Sequence, residues 1–504
     1  MRLFRRNALG IYATYGAAIV SGLVVTPVVL HELGTETFGI WSFIGSITVY
    51  LMVLDFGVGP SIVRFAAEAR GRRSPEDTNA LASVGLALYA VIGAATLPVG
   101  LAIAWLVPEL VSTPDDLVWP ARISTFLVVL GIALRFPLGL FNNLLLGHQR
   151  FDLQNFANFL STALYAGLVV LLIPSGGGLI LLGALTMATT LLRLVLPLAW
   201  LRSELPGLRL SRLHVTRARI RELTSFSWSN FLVHLANTVV FSTDVVVVGI
   251  VLGAEAAALY AIPAKLFSLA HGLGSVGSRL LYPALSEYEG SHELDRQRRL
   301  LLTGLRGVTA ATLLLALPLL FIPGQLIEAW IGEGYSGSTP VMALLALVAL
   351  VHQPIFLLTQ FLVARARQRE IARTLIVASA ANAALSVLLA WTVGIWGVAL
   401  ATLLVDVALI AYIVPALAAP AAATRVGDLV RAMTRPVVPA FAAGIVVLLG
   451  VGSFGDQDSL LELLPLGCLW ALTCGLAVWR FGFDGDERAL VLGQLLRPPA
   501  AAAE

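Results

Sequence analysis

Among 504 residues there is one lysine, there are two cysteines, and only 12% of the chain is charged. So few charges exclude an ordinary soluble domain, where about a quarter of residues are charged. Cys468 and Cys474 lie six residues apart, on different faces of a helix, which argues against a disulfide or a metal site between them. The sequence has no Gly-Lys-Ser/Thr phosphate loop, no nucleophile elbow and no paired metal motif, so neither ATP hydrolysis, a cofactor nor an enzymatic reaction is expected. The net charge of +3 is spread over many short turns, which does not make a groove for a duplex, and no nucleic-acid partner is expected.

What the chain has instead is apolar length. Hydrophobic residues make up 58% of it, and mean hydropathy is +0.87. Fourteen spans are predicted, at 8–30, 38–63, 79–105, 119–142, 154–173, 179–201, 224–252, 258–285, 303–322, 340–363, 371–392, 396–416, 436–451 and 462–480. Each is long enough to cross a hydrocarbon core of about 30 Å. The fold class is therefore all-α and polytopic. Met1 to Arg6 has the charge order of a signal peptide, but the apolar stretch that follows is too long, and it reads as the first span.

Between the spans the charges alternate. One set of turns carries 28 of the 33 cations, among them Arg2, Arg5, Arg6, Arg70, Arg72, Arg73, the run Arg202 to Arg221, Arg296 to Arg306, Arg365 to Arg373 and Arg425 to Arg435. The other set (31–37, 106–118, 174–178, 253–257, 323–339, 393–395, 452–461) holds no Lys or Arg, only acids such as Glu36, Asp115, Glu255, Glu333 and Asp456. Basic turns stay cytoplasmic, which predicts a multi-pass plasma-membrane protein with both termini inside. Thirty-two Arg against one Lys, with much Ala, points to a GC-rich bacterial genome.

The longest polar interruption near the middle, 202–223, alternates Leu213, Ile220 and Leu223 with Arg212, Arg217, Arg219 and Arg221. It reads either as a short amphipathic helix on the inner leaflet or as a solvated basic linker. The predicted division is 1–201 as one six-helix bundle, 202–223 as linker, 224–416 as a second six-helix bundle, and 417–504 as two added spans and a tail. The halves echo one another: Leu33-Gly34-x-Glu36 and Leu252-Gly253-x-Glu255 are offset by 219 residues, as are Glu68 and Glu287. Equal placement relative to span ends suggests a duplicated unit of parallel topology. No arginine-free turn exceeds about twenty residues, which leaves no room for an outer domain.

Leu33-Gly34-Thr35-Glu36-Thr37-Phe38-Gly39-Ile40-Trp41, Leu54-Asp55-Phe56-Gly57-Val58-Gly59 and Val63-Arg64-Phe65-Ala66-Ala67-Glu68 resemble the opening of bacterial oligosaccharide flippases. Ser227-Trp228-Ser229-Asn230, Thr243-Asp244-Val245-Val246-Val247-Val248-Gly249 and Leu259-Tyr260-Ala261-Ile262-Pro263-Ala264-Lys265-Leu266 extend the similarity. These polysaccharide transporters share a superfamily with multidrug and toxin extruders and lipid II flippases. The resemblance implies two six-helix bundles, alternately open to each side, that move an oligosaccharide linked through pyrophosphate to a polyprenol.

Five cations fall within spans: Arg122, Arg135, Arg193, Lys265 and Arg279. At depth a charge normally faces a wet cavity or a partner. Arg135 is the deepest and is read as a cavity cation; Arg193 is divided between cavity and snorkelling; Arg279 is near enough to the inner end to reach headgroups. Arg122, after Trp119-Pro120, becomes interfacial on a small boundary shift. Asp244 and Lys265 flank the turn at Glu255 and are predicted to form an ion pair, structural or gating. Asp55 lies beside Gly57 and Gly59 at a point that can act as a hinge or simply pack. Asp406 has no partner in this reading, and His234, His271 and His352, with no carboxylate at ligand spacing, read as packing or hydrogen-bonded residues and not as a metal site. Pro27, Pro137, Pro197, Pro263 and Pro354 are expected to kink their spans.

The leading expectation is a flippase for polyprenyl-pyrophosphate-linked oligosaccharide, with Arg135, Arg193, Arg122 and Arg279 as substrate cations and Asp244, Lys265, Asp55 and Asp406 as gate or ion-coupling residues. Membrane lipids, and a polysaccharide polymerase or glycosyltransferases, are the expected neighbours. A lipid II flippase or a cation-coupled drug exporter is the nearest alternative, although a drug exporter calls for an acidic, aromatic cavity. A non-transporting scaffold or an integral-membrane glycosyltransferase is the reading from a different class. Short outer turns weigh against the enzyme, and charges at depth against the inert scaffold.

Overall fold

The computed structural model describes residues 2–451, 460–485 and 488, and side chains outside 2–12, 225–242, 448–462 and 464. Among the described residues every regular element is a helix. In chain order these are α1 (Arg2–Met52), α2 (Val58–Gly71), α3 (Pro75–Leu110), α4 (Asp115–Gly147), α5 (Phe151–Leu172), α6 (Leu179–Val195), the short α7 (Leu201–Glu204), α8 (Arg217–Leu252) and α9 (Ala254–Gly290). They continue as α10 (Leu294–Phe321), α11 (Pro323–Ile331), α12 (Thr339–Ala364), α13 (Gln368–Val393), α14 (Ile395–Tyr412), the short α15 (Ala419–Ala421), α16 (Val426–Thr434), α17 (Val437–Val451) and α18 (Leu460–Ala477).

Among the described residues eleven helical segments are long and apolar enough to cross a membrane, against the fourteen spans expected of the whole chain. The first reason is that α1 runs through two expected spans, interrupted only at Gly34 (φ 82°, ψ 165°). Another is that the expected span 224–252 is represented among the described residues by a shorter apolar helix, Thr243–Leu252. The expected span 38–63 is itself broken. A 3-10 turn at Val53–Asp55 is followed by Phe56 at φ 49° and Gly57 at φ 75° before α2 begins.

Gly34 and Gly253 (φ 90°, ψ −177°) adopt the same backbone conformation at two arginine-free turns, one that an L side chain disfavours. At the arginine-rich ends of α2 and α9, Arg73 (φ 53°) and His292 (φ 58°) are both left-handed. Ser74 N bonds Ala69 O at 3.1 Å, and Glu293 N bonds Tyr288 O at 2.9 Å. These are matching helix stops of the six-to-one kind. Both pairs repeat at the 219-residue offset seen in the sequence, so the echo extends to backbone geometry.

The chain divides into two compact units, Met1–Ala261 and Ile262–Glu504. In the first, α3 meets α4 through a seam of small residues. A Cβ on Gly85, Gly93 or Gly100 would come within 2.7 Å of Leu140, 2.6 Å of the Ala133 carbonyl, or 2.0 Å of Val129. Small residues let apolar helices approach closely where lipid offers no competing hydrophobic drive. Gly183 lies likewise on Ser124, whose hydroxyl donates to Leu179 O at 2.6 Å and ties α4 to α6.

The segment 202–223 departs from the leaflet-helix expectation. Arg209 N donates to Asn79 Oδ1 at 2.8 Å and Ser211 N to Ser83 Oγ at 3.0 Å, so backbone donors that a helix would use internally go to the side chains of α3. What forms is the end of α7, one 3-10 turn, Arg212–His214, capped by Ser211, and then α8, capped by Thr216. Leu223 is buried at 3% exposure and Leu213 is exposed at 88%, so they do not share one apolar face.

In the second unit Leu301, Leu305, Leu357, Leu358, Phe361 and Ile413 form a dry core of α10, α12 and the π-helical stretch Ile413–Ala418. Added helices α17 and α18 pack on α10. Trp470 Nε1 donates to Leu314 O at 3.0 Å, and its ring stands edge-on to Phe321.

Candidate functional site

Arg135 and Arg193 both belong to the first unit, on α4 and α6. Arg135 stands on α4, exposed, with Nη1 donating to Met52 Sδ at 3.2 Å. Its charge acts on Tyr89 of α3 and on Arg193 of α6. The guanidinium therefore points toward neighbouring helices of its own unit, not away from them. Arg193 is half-buried. Among the described residues neither arginine is ion-paired with a carboxylate. Two like charges that act on each other, with no ion-paired carboxylate among the described residues, repel. The arrangement is complementary to a multivalent anion.

Beside them lies a polar knot that the sequence did not reveal in full. Tyr89 donates its hydroxyl to Asp55 Oδ1 at 2.6 Å, Asn143 Nδ2 donates to Tyr89 Oη at 3.3 Å, and Gly59 N donates to Asp55 Oδ2 at 3.1 Å. The knot fits because Gly59 lacks a side chain: a Cβ there would lie 3.1 Å from Tyr89 Oη and 3.2 Å from Asn143 Nδ2. Asp55 thus sits on the break between α1 and α2 and is fixed from α3.

Arg122 is placed apart from this pair. Thirteen residues before Arg135 on one helix puts it about 20 Å away along the axis. Its guanidinium lies 3.8 Å from the Trp105 ring centroid and 5.5 Å from that of Trp119, with Glu109 at 3.9 Å. This is the interfacial position, an arginine at an otherwise arginine-free end.

Asp244 accepts the buried Tyr260 hydroxyl at 2.6 Å, while Tyr50 and Thr243 share a hydrogen bond at 2.7 Å nearby. Asp244 belongs to the first unit and Lys265 to the second. Within the first unit the carboxylate's partner is a tyrosine. Lys265, in the second unit, is exposed, as is Arg279.

The second unit corrects the reading of Asp406 as unpartnered. His352 Nδ1 lies 2.9 Å from Asp406 Oδ2, joining α12 to α14. His271 of α9 stands edge-on to His352 at 5.4 Å between ring centroids. Gln353 Nε2 donates to His271 O at 2.8 Å and to His271 Nδ1 at 3.0 Å. His352 and Asp406 are 54 residues apart on different helices, so no spacing rule could connect them. The signal that was available was a carboxylate and two histidines, each inside an apolar span. The side chain of His234 lies outside the described residues.

The family described as "Polysaccharide biosynthesis protein" matches residues 4–289, more than half of the chain. No curated protein matches it significantly. Among solved structures, the lipid II flippase MurJ in an inward closed conformation superposes with a TM-score of 0.74 at 13% identity, covering 94% of this chain and 99% of that one. An inward-facing multidrug resistance MATE family transporter gives 0.58 at 14% identity, over 83% and 95%. The outward-facing form of such a transporter gives 0.56 at 14%, over 85% and 96%. The proteins sharing this fold are transporters and flippases, not enzymes.

Proposed function

Since the chain belongs to the polysaccharide biosynthesis protein family and has the fold of flippases and exporters, we propose that it flips polyprenyl-pyrophosphate-linked oligosaccharide from the cytoplasmic to the outer leaflet by alternating access. The observation that carries this reading is the Arg135/Arg193 pair, whose charges act on each other and which, among the described residues, form no ion pair with a carboxylate. A diphosphate headgroup leaving water loses its hydration, at a cost of several kcal/mol per charge. Two arginines replace that hydration with charge-assisted hydrogen bonds in fork geometry. The polyprenol tail need not enter the protein and stays in the bilayer.

The Asp55 knot has a mechanical role in this account. Helix α1 ends and α2 starts at Asp55–Gly57, so a change of angle there costs few backbone hydrogen bonds, and Tyr89 decides which angle is held. Arginine asymmetry between the two sets of turns orients the chain with both termini in the cytoplasm of a plasma membrane. Lys265 and Asp244 remain gate residues of this proposal; unchanged flipping by Lys265→Ala removes Lys265 from it.

A lipid II flippase is the second reading, favoured by the MurJ superposition over 94% of the chain. A drug exporter fits less well, because the exposed intraspan charge of the first unit is cationic.

The test uses the purified full chain in vesicles containing a labelled lipid-linked oligosaccharide, with lipid II in a parallel set. Label becoming accessible to a membrane-impermeant reagent, in the first set only, is the expected result. Transfer of lipid II alone would select the second reading, and transfer of neither would refute both.

A further inference from the structure

An arginine-rich end of the first unit encloses a cavity of about 280 Å³ that plays no part in the transport account. Arg70 at the end of α2, Arg73 in the turn that follows and His148 at the end of α4 line one side of it. Leu205, Pro206 and Leu208 of the linker line the other. That volume takes a headgroup and not a whole amphiphile. His148 follows Arg135 by thirteen residues on α4, so the cavity lies about 20 Å along the axis from the Arg135 position.

Both arginines are exposed, and among the described residues neither is ion-paired with a carboxylate. Arg70 Nη1 donates to the His148 carbonyl at 2.6 Å, which leaves the other guanidinium donors for a further acceptor. Two cations three residues apart repel one another. Glu204, the carboxylate in the lining, is taken up by Arg150, which also holds Asp152 at 3.0 Å. His148 Nδ1 donates to Leu144 O at 2.9 Å, which fixes the ring and leaves Nε2 to a ligand. Asp77 N in the first turn of α3 is already bonded to Ser74 Oγ at 3.2 Å, so the arginines and not the helix end supply the donors.

The second unit shows the same position in a closed form. Helix α4 stops with Gln149 at φ 62° and Arg150 N bonded to Leu145 O at 3.0 Å; α12 stops with Ala366 at φ 57° and Arg367 N bonded to Leu362 O at 2.9 Å. These matching stops make Arg365 the counterpart of His148, and the 219-residue offset makes Glu289 the counterpart of Arg70. There the contact is an ion pair, Arg365 Nη1 to Glu289 Oε2 at 2.5 Å. Tying two such helix ends together therefore does not call for an uncompensated cation. The first unit has one, beside a cavity and a second arginine, and an anion from outside the chain completes it.

We propose that this cavity binds the phosphodiester headgroup of an anionic phospholipid, and that the bound headgroup holds the linker segment 205–208 against α3. Arg70 and Arg73 take the phosphate oxygens in charge-assisted hydrogen bonds, and the glycerol end lies on Leu205, Pro206 and Leu208. Basic pockets between helix ends on the cytoplasmic side of a membrane suit such headgroups. The next part of the linker is already tethered to α3 through Asn79 and Ser83, so the headgroup extends an existing seam back to Leu205. A soluble phosphate ester shares the phosphate chemistry, but the apolar linker wall favours a lipid. The site is independent of the cargo that the chain moves.

The experiment uses the purified full chain, with phosphatidylglycerol, phosphatidylcholine and glycerol phosphate as separate probes. In native mass spectrometry, wild type is expected to retain the first phosphatidylglycerol at least about tenfold better than Arg70→Gln/Arg73→Gln. Phosphatidylcholine should be retained alike by both, and Arg70→Lys/Arg73→Lys should recover part of the difference. Trypsin cleavage after Arg209 and Arg212 is expected to slow when phosphatidylglycerol is added to wild type, and to stay the same in the Gln variant. If the double variant does not melt cooperatively, Arg73→Gln alone carries the comparison, because the Arg73 side chain makes no hydrogen bond or ion pair among the described residues. Equal phosphatidylglycerol retention with equal cleavage overturns the site. Equal retention, with glycerol phosphate slowing cleavage of wild type only, overturns the lipid and assigns the cavity to a soluble ester. Polyprenyl diphosphate should be retained alike by wild type and the Gln variant; its loss from the variant would merge the cavity with the Arg135/Arg193 site and overturn a separate one.

Discussion

Tyr89 donates to Asp55 across 2.6 Å, and that contact fastens α3 to the point where the α1 run ends and α2 begins. A hydroxyl bonded to a carboxylate in a partly buried place is a strong tether, because neither group finds water when it breaks. Tyr89→Phe is predicted to lower stability by about 1 to 3 kcal/mol. Transport should fall further than stability explains, since the break at Asp55–Gly57 loses its fixed angle. Thermal melting in detergent together with the vesicle assay separates the two effects. Transport reduced only in proportion to folded protein would count against a mechanical role.

Gly34 and Gly253 provide a matched pair. Both have φ between 82° and 90° with extended ψ, and a Cβ at either meets nothing within 4 Å. Substitution by Ala therefore acts through backbone strain alone, about 1 to 3 kcal/mol at each site. Equal losses at the two positions in thermal melting support an equivalent role in two copies of one unit. A loss at one and none at the other contradicts it.

Arg122 is predicted to matter for stability and not for substrate. Its guanidinium is held against Trp105 and Trp119, an arrangement worth about 0.5 to 2 kcal/mol. Arg122→Ala should lower the melting temperature while leaving the rate per folded molecule near wild type. Loss of lipid-linked oligosaccharide binding in Arg122→Ala would move this residue into the substrate site.

Asp484 supplies a dependence on pH outside the membrane-spanning helices. Arg435 hydrogen-bonds both its oxygens, at 2.5 and 2.7 Å, and with Arg306 at 3.5 Å holds the carboxyl below the usual aspartate range. A lowered value in the folded chain means that this contribution is complete above the ordinary aspartate value of about 3.9. It is lost as pH falls through the folded value. Asp484→Asn should therefore melt below wild type at neutral pH, with the gap closing in acid. A gap independent of pH would assign the effect to packing.

The apolar runs, the arginine alternation and the 219-residue echo were legible because each is written along the chain. Gly34 and Gly253 could be flagged from sequence since their conformations are local. The contacts that build the sites are different in kind. Tyr89 meets Asp55 across 34 positions, and His352 meets Asp406 across 54, because helices of different register happen to place them at one depth. Apolar helices give no periodic signal for that depth. The linker was open to two readings for a related reason: its alternation of Leu and Arg suits a helix, but Asn79 and Ser83 of α3 take up its backbone donors. Arg135 and Arg193 were singled out by depth alone, and only the folded unit shows that their charges act on each other.

Native mass spectrometry of lipid adducts tests the central claim most directly. Wild type, Arg135→Ala, Arg193→Ala and the double variant are mixed with polyprenyl diphosphate and, separately, polyprenyl monophosphate. The account predicts that wild type retains the diphosphate at least about tenfold better than the double variant, with the single variants between them and a much smaller difference for the monophosphate. Equal retention of the diphosphate by wild type and the double variant would contradict it.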